Sequence, residues 1–430
     1  MSFLSVSDQE LFELLCVLIA VLGSLYALHF VLRRLAQSGG DFRIAPAIYV
    51  GFGLRFAAAV GLGQVAISRD LRGGDELTFL ARAEDVSALP LAGPDSLDKL
   101  ISELHTFLFS LHYRIFDVAP PELMLRTEMV LFATLGIALV AAAVHELAGP
   151  RAAVIAAWLL ALEPASIFFS SLLHKEPLMY LAEGLVLYGG ALLWKRGRMV
   201  ALLPMVAGCL MAVATRPYAG WFLTAAAAAV VLHASFTRQR GLRSLALTAT
   251  CVALIALAGP AVWDASSTEN LRELQQSQDA NARSTSNLAL EWVDYSTRER
   301  MLLNLPLRLR DVVLRPYVWQ TENASQQLGA IGTLVVLGCI AMLAVSVLRD
   351  PRAIMREAAP FVYPAAFMLI AYSLSAGNAG TAYRYRTHLV GMAIGLIIVL
   401  VAKRRQEQEG LARVPRRPGL APVSRTRTAA

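Results

Sequence analysis

Residues 327–348 read QLGAIGTLVVLGCIAMLAVSVL, a run without a charged side chain that is long enough to cross a bilayer as a helix. Roughly 20 apolar residues span a hydrocarbon core of about 30 Å. Similar runs recur along the chain: 56% of all residues are hydrophobic, 17% are charged, and the mean hydropathy is +0.53. These values lie far outside those of soluble domains. The sequence therefore predicts an integral membrane protein.

The apolar runs predict an all-α, polytopic membrane fold with about eleven transmembrane helices. We expect one transmembrane domain over residues 1–405, followed by a disordered basic tail over 406–430. The four cysteines fall inside the runs without metal or disulfide spacing, which predicts small core side chains. The runs lie near residues 10–31, 45–67, 124–147, 152–172, 178–194, 199–214, 219–235, 244–262, 327–348, 358–375 and 387–402.

The basic residues predict the orientation of the chain, because short cytoplasmic loops retain Lys and Arg. With Lys403-Arg404-Arg405 inside, alternation places the other basic loops inside as well, the N-terminus outside and the C-terminus in the cytoplasm. Two long segments, about 68–122 and 263–325, then lie outside. Cytoplasmic loops and the tail account for the net charge of +7, so nucleic-acid binding is not expected. We expect a multi-pass protein of a bacterial inner membrane, with its functional residues facing the periplasm.

Ionisable residues collect at the predicted outer ends of the helices. Short outer loops are expected to contain few Lys and Arg residues, so the basic residues found there need an explanation, and binding of an anion is one. Snorkelling of these side chains to lipid headgroups is the alternative. The groups are Asp75-Glu76, His174-Lys175-Glu176-Pro177, Arg216-Pro217-Tyr218 and Tyr383-Arg384-Tyr385-Arg386.

Asp75 follows the pair Gly73-Gly74, at the start of the first long outer segment. Asp75 is interpreted either as a cap for the helix that begins there or as a catalytic acid, and the two are not exclusive. Leu77, Leu80 and Ala81 share one face of that helix, and residues 97–116 are amphipathic too. Both stretches are predicted to be helices that lie flat on the membrane surface.

Glu163 and Arg55 are ionisable residues inside predicted spans, where a charge is costly. They are interpreted either as an interhelical ion pair or as functional residues, and Pro164 is expected to kink the helix next to Glu163. His174 is open to three interpretations: a metal ligand, a proton carrier, or a polar anchor at a helix end.

Three segments resemble the GT-C membrane glycosyltransferases, in particular the bacterial relatives of protein mannosyltransferases and of the lipid A aminoarabinose transferase. The resemblance spans about residues 45–400 and implies a GT-C-like fold with a polyprenyl-phosphate-linked sugar as donor. The segments are GGDELTFLARA at 73–83, EPASIFFSSLLHKEPLMYLAEGLVLY at 163–188 and GNAGTAYRYRTHLV at 377–390.

The resemblance also implies an inverting displacement in which Asp75 is the base and Glu76 orients the acceptor or the base. The leaving phosphate needs charge stabilisation, for which the expected residues are Arg384, Arg386, Arg216 and Lys175. Partners would be membrane lipids, the donor, and a lipid, glycan or protein acceptor; a divalent metal ion is left open as a cofactor. Further candidate residues are His174, Glu176, Glu163, Arg55, Tyr383 and Tyr385.

Two other functions fit parts of the sequence. A lipid-linked polysaccharide polymerase or ligase would use the basic residues around 298–315, and Asp75 would be incidental. A lipid or solute transporter would line a path with Arg55 and Glu163, although a transporter is expected to place its ionisable groups near the midplane.

Overall fold

The computed structural model shows an all-helical chain, as predicted, with no β-strand in the ranges that the structure describes. Two features of the sequence lie outside these ranges: the pair Gly73-Gly74 and most of the basic tail. The described ranges are 8–37, 43–64, 75–116, 118–237, 242–265, 267–282, 290–320 and 324–412.

The helices are numbered here in chain order. A 3₁₀ turn, Met199–Ala201, joins α9 to α10. The bounds are α1 Asp8–Gln37, α2 Ala45–Gln64, α3 Asp75–Ser87, α4 Pro94–Ser102, α5 Leu104–Phe116, α6 Glu122–Ala148, α7 Pro150–Ala161, α8 Pro164–Ser170, α9 Glu176–Arg196, α10 Leu202–Thr215, α11 Pro217–Thr237, α12 Leu242–Ala265, α13 Thr268–Ala282, α14 Arg298–Leu314, α15 Ala324–Arg349, α16 Pro351–Ser375 and α17 Ala379–Ala412.

Eight of the described helices are long and apolar enough to cross a membrane: α1, α2, α6, α9, α11, α15, α16 and α17. The pair α7 and α8 makes a ninth if it is counted as one broken span. Of the two remaining predicted spans, 199–214 corresponds to the shorter α10 with its preceding turn, and 244–262 to α12. The structure thus confirms a polytopic helical protein, while the count of eleven and the orientation stay predictions.

The break between α7 and α8 bends the chain by 62°. Pro164 causes it, because proline has no N–H for an intrahelical bond and disfavours helical backbone at the residue before it. Glu163 then caps α8 by accepting hydrogen bonds from the N–H groups of Ala165 and Ser166. The predicted kink is therefore a complete break, with a carboxylate at its corner.

Helix α6 lies at the centre of the bundle and packs against α1, α2, α7, α9 and α17. The backbones of α6 and α9 touch at Gly136 and Gly184, where a side chain would not fit. A Cβ added to Gly136 would lie 2.4 Å from the Tyr180 carbonyl oxygen, and a Cβ added to Gly184 would lie 2.7 Å from the Gly136 carbonyl oxygen. Glycines allow helix axes to approach this closely. The contact fixes the position of α9, which carries Glu176 and Glu183.

Helices α3, α4 and α5 cover the described part of the first predicted outer segment. Helix α3 turns Glu76, Ala83 and Val86 inward, whereas Leu77 stays 69% exposed. The exposed Leu77 suits a helix that lies on the membrane surface. The buried face of α3, by contrast, carries the acid Glu76.

Helix α17 continues past residue 405 to Ala412, so residues 406–412 of the predicted tail are helical. The segment from Gln406 to Glu409 consists of good helix formers. In addition, the Gln406 side chain donates a 3.0 Å hydrogen bond to the Ala148 carbonyl at the end of α6.

Candidate functional site

Four ionisable side chains from separate parts of the chain meet where α3, α9 and α17 begin; we refer to them as the acid–arginine cluster. Asp75 is the first residue of α3, and Glu176 is the first residue of α9. Arg216 lies between α10 and α11, and Arg384 lies in the second turn of α17. The structure therefore brings together residues that the sequence placed in four predicted outer loops.

Glu176 is the centre of this cluster, and its side chain is fully buried. The Arg216 guanidinium donates a hydrogen bond to Glu176 Oε1, and Arg384 Nε lies 3.7 Å from the same oxygen. Removing a carboxylate from water costs several kcal/mol unless cations compensate it. Two guanidinium groups provide that compensation here.

Asp75 is the exposed member of the cluster, with 55% of its side chain accessible. Arg384 Nη1 donates a 3.0 Å hydrogen bond to Asp75 Oδ2. Arg384 therefore connects an acid that solvent reaches to the buried Glu176, and it holds the Asp75 carboxylate in a defined position.

Aromatic side chains pack against Arg216. Its guanidinium lies 4.8 Å from the centroid of the Tyr385 ring, a cation–π contact. Tyr385 stacks on Tyr372 with 4.6 Å between ring centroids, and its hydroxyl accepts a 2.6 Å hydrogen bond from Tyr218. The predicted candidate Tyr385 thus contacts the cluster through Arg216.

His174 and Lys175 border the cluster in the turn before α9. His174 Nδ1 lies 3.7 Å from Glu176 Oε2. Burial, followed by the charge of Arg384, lowers the pKa of His174 to about 4, so its ring is neutral at pH 7. Burial, followed by the charge of Arg216, also lowers the pKa of Lys175, whose amine lies 5.6 Å from the centroid of the Phe79 ring.

The charges of this region favour an anion. Three cations, Lys175, Arg216 and Arg384, lie near two carboxylates, Asp75 and Glu176, and the charges of Glu103 and Arg82 also act on Lys175. Among the described residues Lys175 makes no ion pair within 4 Å, so its amine is the cation that a ligand can take without displacing a carboxylate. A phosphate beside Lys175 and Arg384 would complete the charge balance.

No protein-family model matches this chain, and no curated protein or solved structure is significantly similar to it. The resemblance to the GT-C glycosyltransferases therefore stays a prediction from three short segments.

Glu76 lies behind the site rather than in it. It is 3% exposed, pairs with Arg126 Nη2 at 2.8 Å, and accepts a 2.7 Å hydrogen bond from the Leu173 N–H. Burial disfavours the ionised carboxyl, but the bond and charge of Arg126 and the Leu173 N–H hold the pKa of Glu76 below its usual value. Glu76 thus fastens α3 to α6 and to the turn before His174, which positions Asp75.

Arg386 is not part of the acid–arginine cluster. Its guanidinium donates to the carbonyl groups of Val313, Arg315 and Gly329 and to the Thr333 hydroxyl, at 2.7 to 3.1 Å. Residues two apart on a helix point to different sides, so α17 sends Arg384 and Arg386 in different directions. Tyr383 goes with Arg386: the guanidinium lies 5.2 Å from its ring centroid, and the ring packs on Phe169.

This division predicts different effects for the two arginines. Arg386→Ala should lower the free energy of unfolding by about 3 kcal/mol, because it leaves buried carbonyl oxygens without a donor. Arg384→Ala removes a bond to the exposed Asp75 and one of the two cations beside Glu176; because Arg216 still pairs with Glu176, the free energy of unfolding should fall less. Thermal unfolding of the purified proteins in detergent measures the difference. Equal melting temperatures would contradict the structural role of Arg386.

Arg55 and Glu163 meet at Ser166 rather than in a direct ion pair. Arg55 donates a 2.6 Å hydrogen bond to the Ser166 hydroxyl, and its other bonds go to the carbonyl groups of Gly51, Leu160 and Ala161. Glu163 caps α8 through the N–H groups of Ala165 and Ser166. The opposite charges therefore stabilise the break between α7 and α8 from two sides.

Among the described residues, no three His, Cys, Asp or Glu side chains come together in a group that could hold a metal ion. His174 is accordingly a neutral, buried ring beside Glu176 rather than one of a set of ligands.

Sequence reasoning missed several buried charged or titratable residues, among them Arg126, Glu183 and His388. Glu183 was detectable, since it is an acid inside the span 178–194 and follows Glu176 by seven residues, which is two helical turns. His388 follows Arg384 by four residues and so shares its face of α17. For Arg126, the sequence shows only a charge near the start of a predicted helix.

Three arginines of the second long segment pair with acids of the same segment, whereas Arg298 and Arg308 lie over the rings of Trp263 and Tyr295. Arg310 and Arg315 contact Glu291 at 2.7 and 2.9 Å, and both also approach Asp311. Arg300 pairs with Asp294. These charges are largely compensated within the segment, which weakens their interpretation as an anion-binding site.

Proposed function

We propose that this protein is a membrane glycosyltransferase that moves a sugar from a polyprenyl-phosphate-linked donor to an acceptor hydroxyl. The observation that carries the proposal is the Asp75–Arg384–Glu176 arrangement: an exposed carboxylate held by a guanidinium that a buried carboxylate orients. Beside it lies the amine of Lys175. A base next to an anion-binding group is what displacement of a lipid phosphate requires.

In the proposed reaction, Asp75 takes the proton of the acceptor hydroxyl while that oxygen attacks the anomeric carbon of the donor. The bond between the anomeric carbon and the phosphate oxygen breaks, and the electron pair leaves with the polyprenyl phosphate. Lys175 and Arg384 stabilise the charge of the leaving phosphate. Attack opposite to the leaving group inverts the configuration at the anomeric carbon.

The proposed setting is the inner membrane of a bacterium, with the acid–arginine cluster at the periplasmic face and the C-terminus in the cytoplasm. The distribution of Lys and Arg among the short loops supports this orientation. The exposed Leu77 and Ile101, at 69% and 66%, suit helices that touch the membrane surface beside the site.

A transporter is the second candidate, and a specific observation favours it. Glu163, Glu183 and His388 border one cavity inside the bundle. Intramembrane ionisable groups of this kind often mark transport or proton pathways. The polymerase interpretation loses part of its support, because Arg300, Arg310 and Arg315 are paired within their own segment.

The test uses sealed membrane vesicles of defined orientation that contain the protein. A panel of radiolabelled polyprenyl-phosphate-linked hexoses and pentoses is added, and release of free polyprenyl phosphate is measured. We expect release with at least one donor, only when the periplasmic face is accessible, and its loss in Arg384→Ala but not in Arg405→Ala. Uptake of label without cleavage of the lipid–sugar bond would refute the transferase and support the transporter.

A further inference from the structure

A cavity of about 30 Å³ lies deeper in the bundle than the acid–arginine cluster. On α9, Glu183 follows Glu176 by two turns, and on α17, His388 follows Arg384 by about one turn. The same two helices therefore carry an outer and an inner layer of ionisable residues. The polar residues that line the cavity are Glu163, Ser166, Tyr180, Glu183, Thr387 and His388.

Glu183 and His388 form a buried acid–imidazole pair. His388 Nδ1 lies 3.0 Å from Glu183 Oε2, and the Tyr372 hydroxyl donates a 3.2 Å hydrogen bond to Glu183 Oε1. The side chains are 0% and 4% exposed for His388 and Glu183, respectively. A carboxylate beside a neutral imidazole carries one negative charge, which is costly in a low-dielectric interior. One added proton makes the pair neutral.

The second nitrogen of His388 is available for that proton. Nε2 is buried and has no hydrogen-bond partner in the part of the chain that the structure describes, and the ring borders the cavity. The cavity has about the volume of one water molecule, and its accessible surface is mostly apolar. The unpartnered Nε2 is therefore the nitrogen of the pair that can accept a proton.

Other charges around the cavity are already matched. Glu163 lines the cavity from the break between α7 and α8. Arg55 of α2 donates a hydrogen bond to the neighbouring Ser166 hydroxyl. Helix α6 lines the cavity with Gly136, Ile137 and Val140, which do not titrate. The remaining titratable or charged groups near the pair are Tyr180 and Glu176 of α9, Tyr372 of α16, and Tyr385 and Arg384 of α17.

We propose that Glu183 and His388 form a membrane-embedded binding site for one exchangeable proton, which His388 Nε2 receives. A hydronium ion gives its proton to Nε2 and becomes water, while the Nδ1 proton moves onto Glu183. The reverse transfers release the proton. The site is independent of sugar transfer at Asp75, and Tyr372 orients the Glu183 carboxyl for it.

Dicyclohexylcarbodiimide, which modifies protonated carboxyl groups in apolar surroundings, tests this site in the full-length protein in detergent. Peptide mass spectrometry across a pH series should show modification of Glu183 that falls as pH rises. His388→Gln removes the partner that shares the proton, so the pH dependence of labelling at Glu183 should differ from that of the wild-type protein. Glu183→Gln should abolish the adduct at that position.

Glu146 is the matched control, because it is nearly as buried, at 6%, but pairs with Arg196. It should stay unlabelled, and equal labelling of Glu146 and Glu183 would overturn the proposal. Protection of Glu183 by sodium ions at constant pH would identify a metal-cation site instead. Infrared pH-difference spectra are the second readout: a protonated carboxyl band absent from Glu183→Gln supports the site, and identical spectra of the two proteins refute it.

Discussion

Asp75→Asn should lower turnover of the lipid-linked sugar by about 100- to 10,000-fold, the usual contribution of a general base. The amide keeps the size of the side chain and an oxygen for the hydrogen bond from Arg384, but it does not accept the proton of the acceptor hydroxyl. The measurement is release of polyprenyl phosphate under single-turnover conditions, so that slow product release does not mask the chemical step.

Asp85→Asn is the control for this prediction. Asp85 lies on the same helix, α3, and is exposed. The control should retain wild-type turnover, and both variants should keep the wild-type melting temperature because neither carboxylate is buried. Wild-type turnover by Asp75→Asn would remove the base from the proposed reaction. The donor assay on the wild-type protein separates this outcome from failure of the whole proposal.

Glu176→Gln should destabilise the protein by about 3–5 kcal/mol, because it leaves the Arg216 guanidinium buried without a carboxylate. It should also reduce turnover, since Arg384 loses the group that orients it towards Asp75. Thermal unfolding and the donor assay measure the two effects on the same preparation.

A double-mutant cycle distinguishes a specific pair from a general loss of packing. Glu176→Gln combined with Arg216→Gln removes both charges, so the double variant should be more stable than the sum of the single effects predicts. Additive losses would show that the two side chains do not stabilise each other. Asp75 and Arg384 are unchanged in every variant of the cycle, so the free energy of unfolding is the only quantity that has to be measured.

Part of the site was predictable from helix geometry. The sequence predicts both Arg384 and Arg386 as phosphate ligands from their charge at an outer helix end, yet an i, i+2 pair on a helix does not face one site. The helix itself was evident from the apolar run 387–402. Extending that helix back to Ala379 separates the two arginines by helical periodicity alone.

Other parts depended on contacts between distant segments. Glu76 looked like a partner of Asp75 in the site, but it pairs with Arg126, which lies 50 residues later in the chain. Glu183 and His388 are 205 residues apart. A carboxylate in an apolar helix is costly without a partner, and the sequence around it does not show which distant side chain neutralises its charge.

By itself, the sequence determined that the chain is a helical membrane protein and that ionisable residues collect near certain helix ends. Long apolar runs and local charge are properties of short segments, and a bilayer selects helices from them without reference to the rest of the chain. Only the tertiary structure decided which charges meet. The backbone contact of α6 with α9 sets the position of Glu176, and the pair of Glu76 with Arg126 sets that of Asp75; such packing depends on all the helices together.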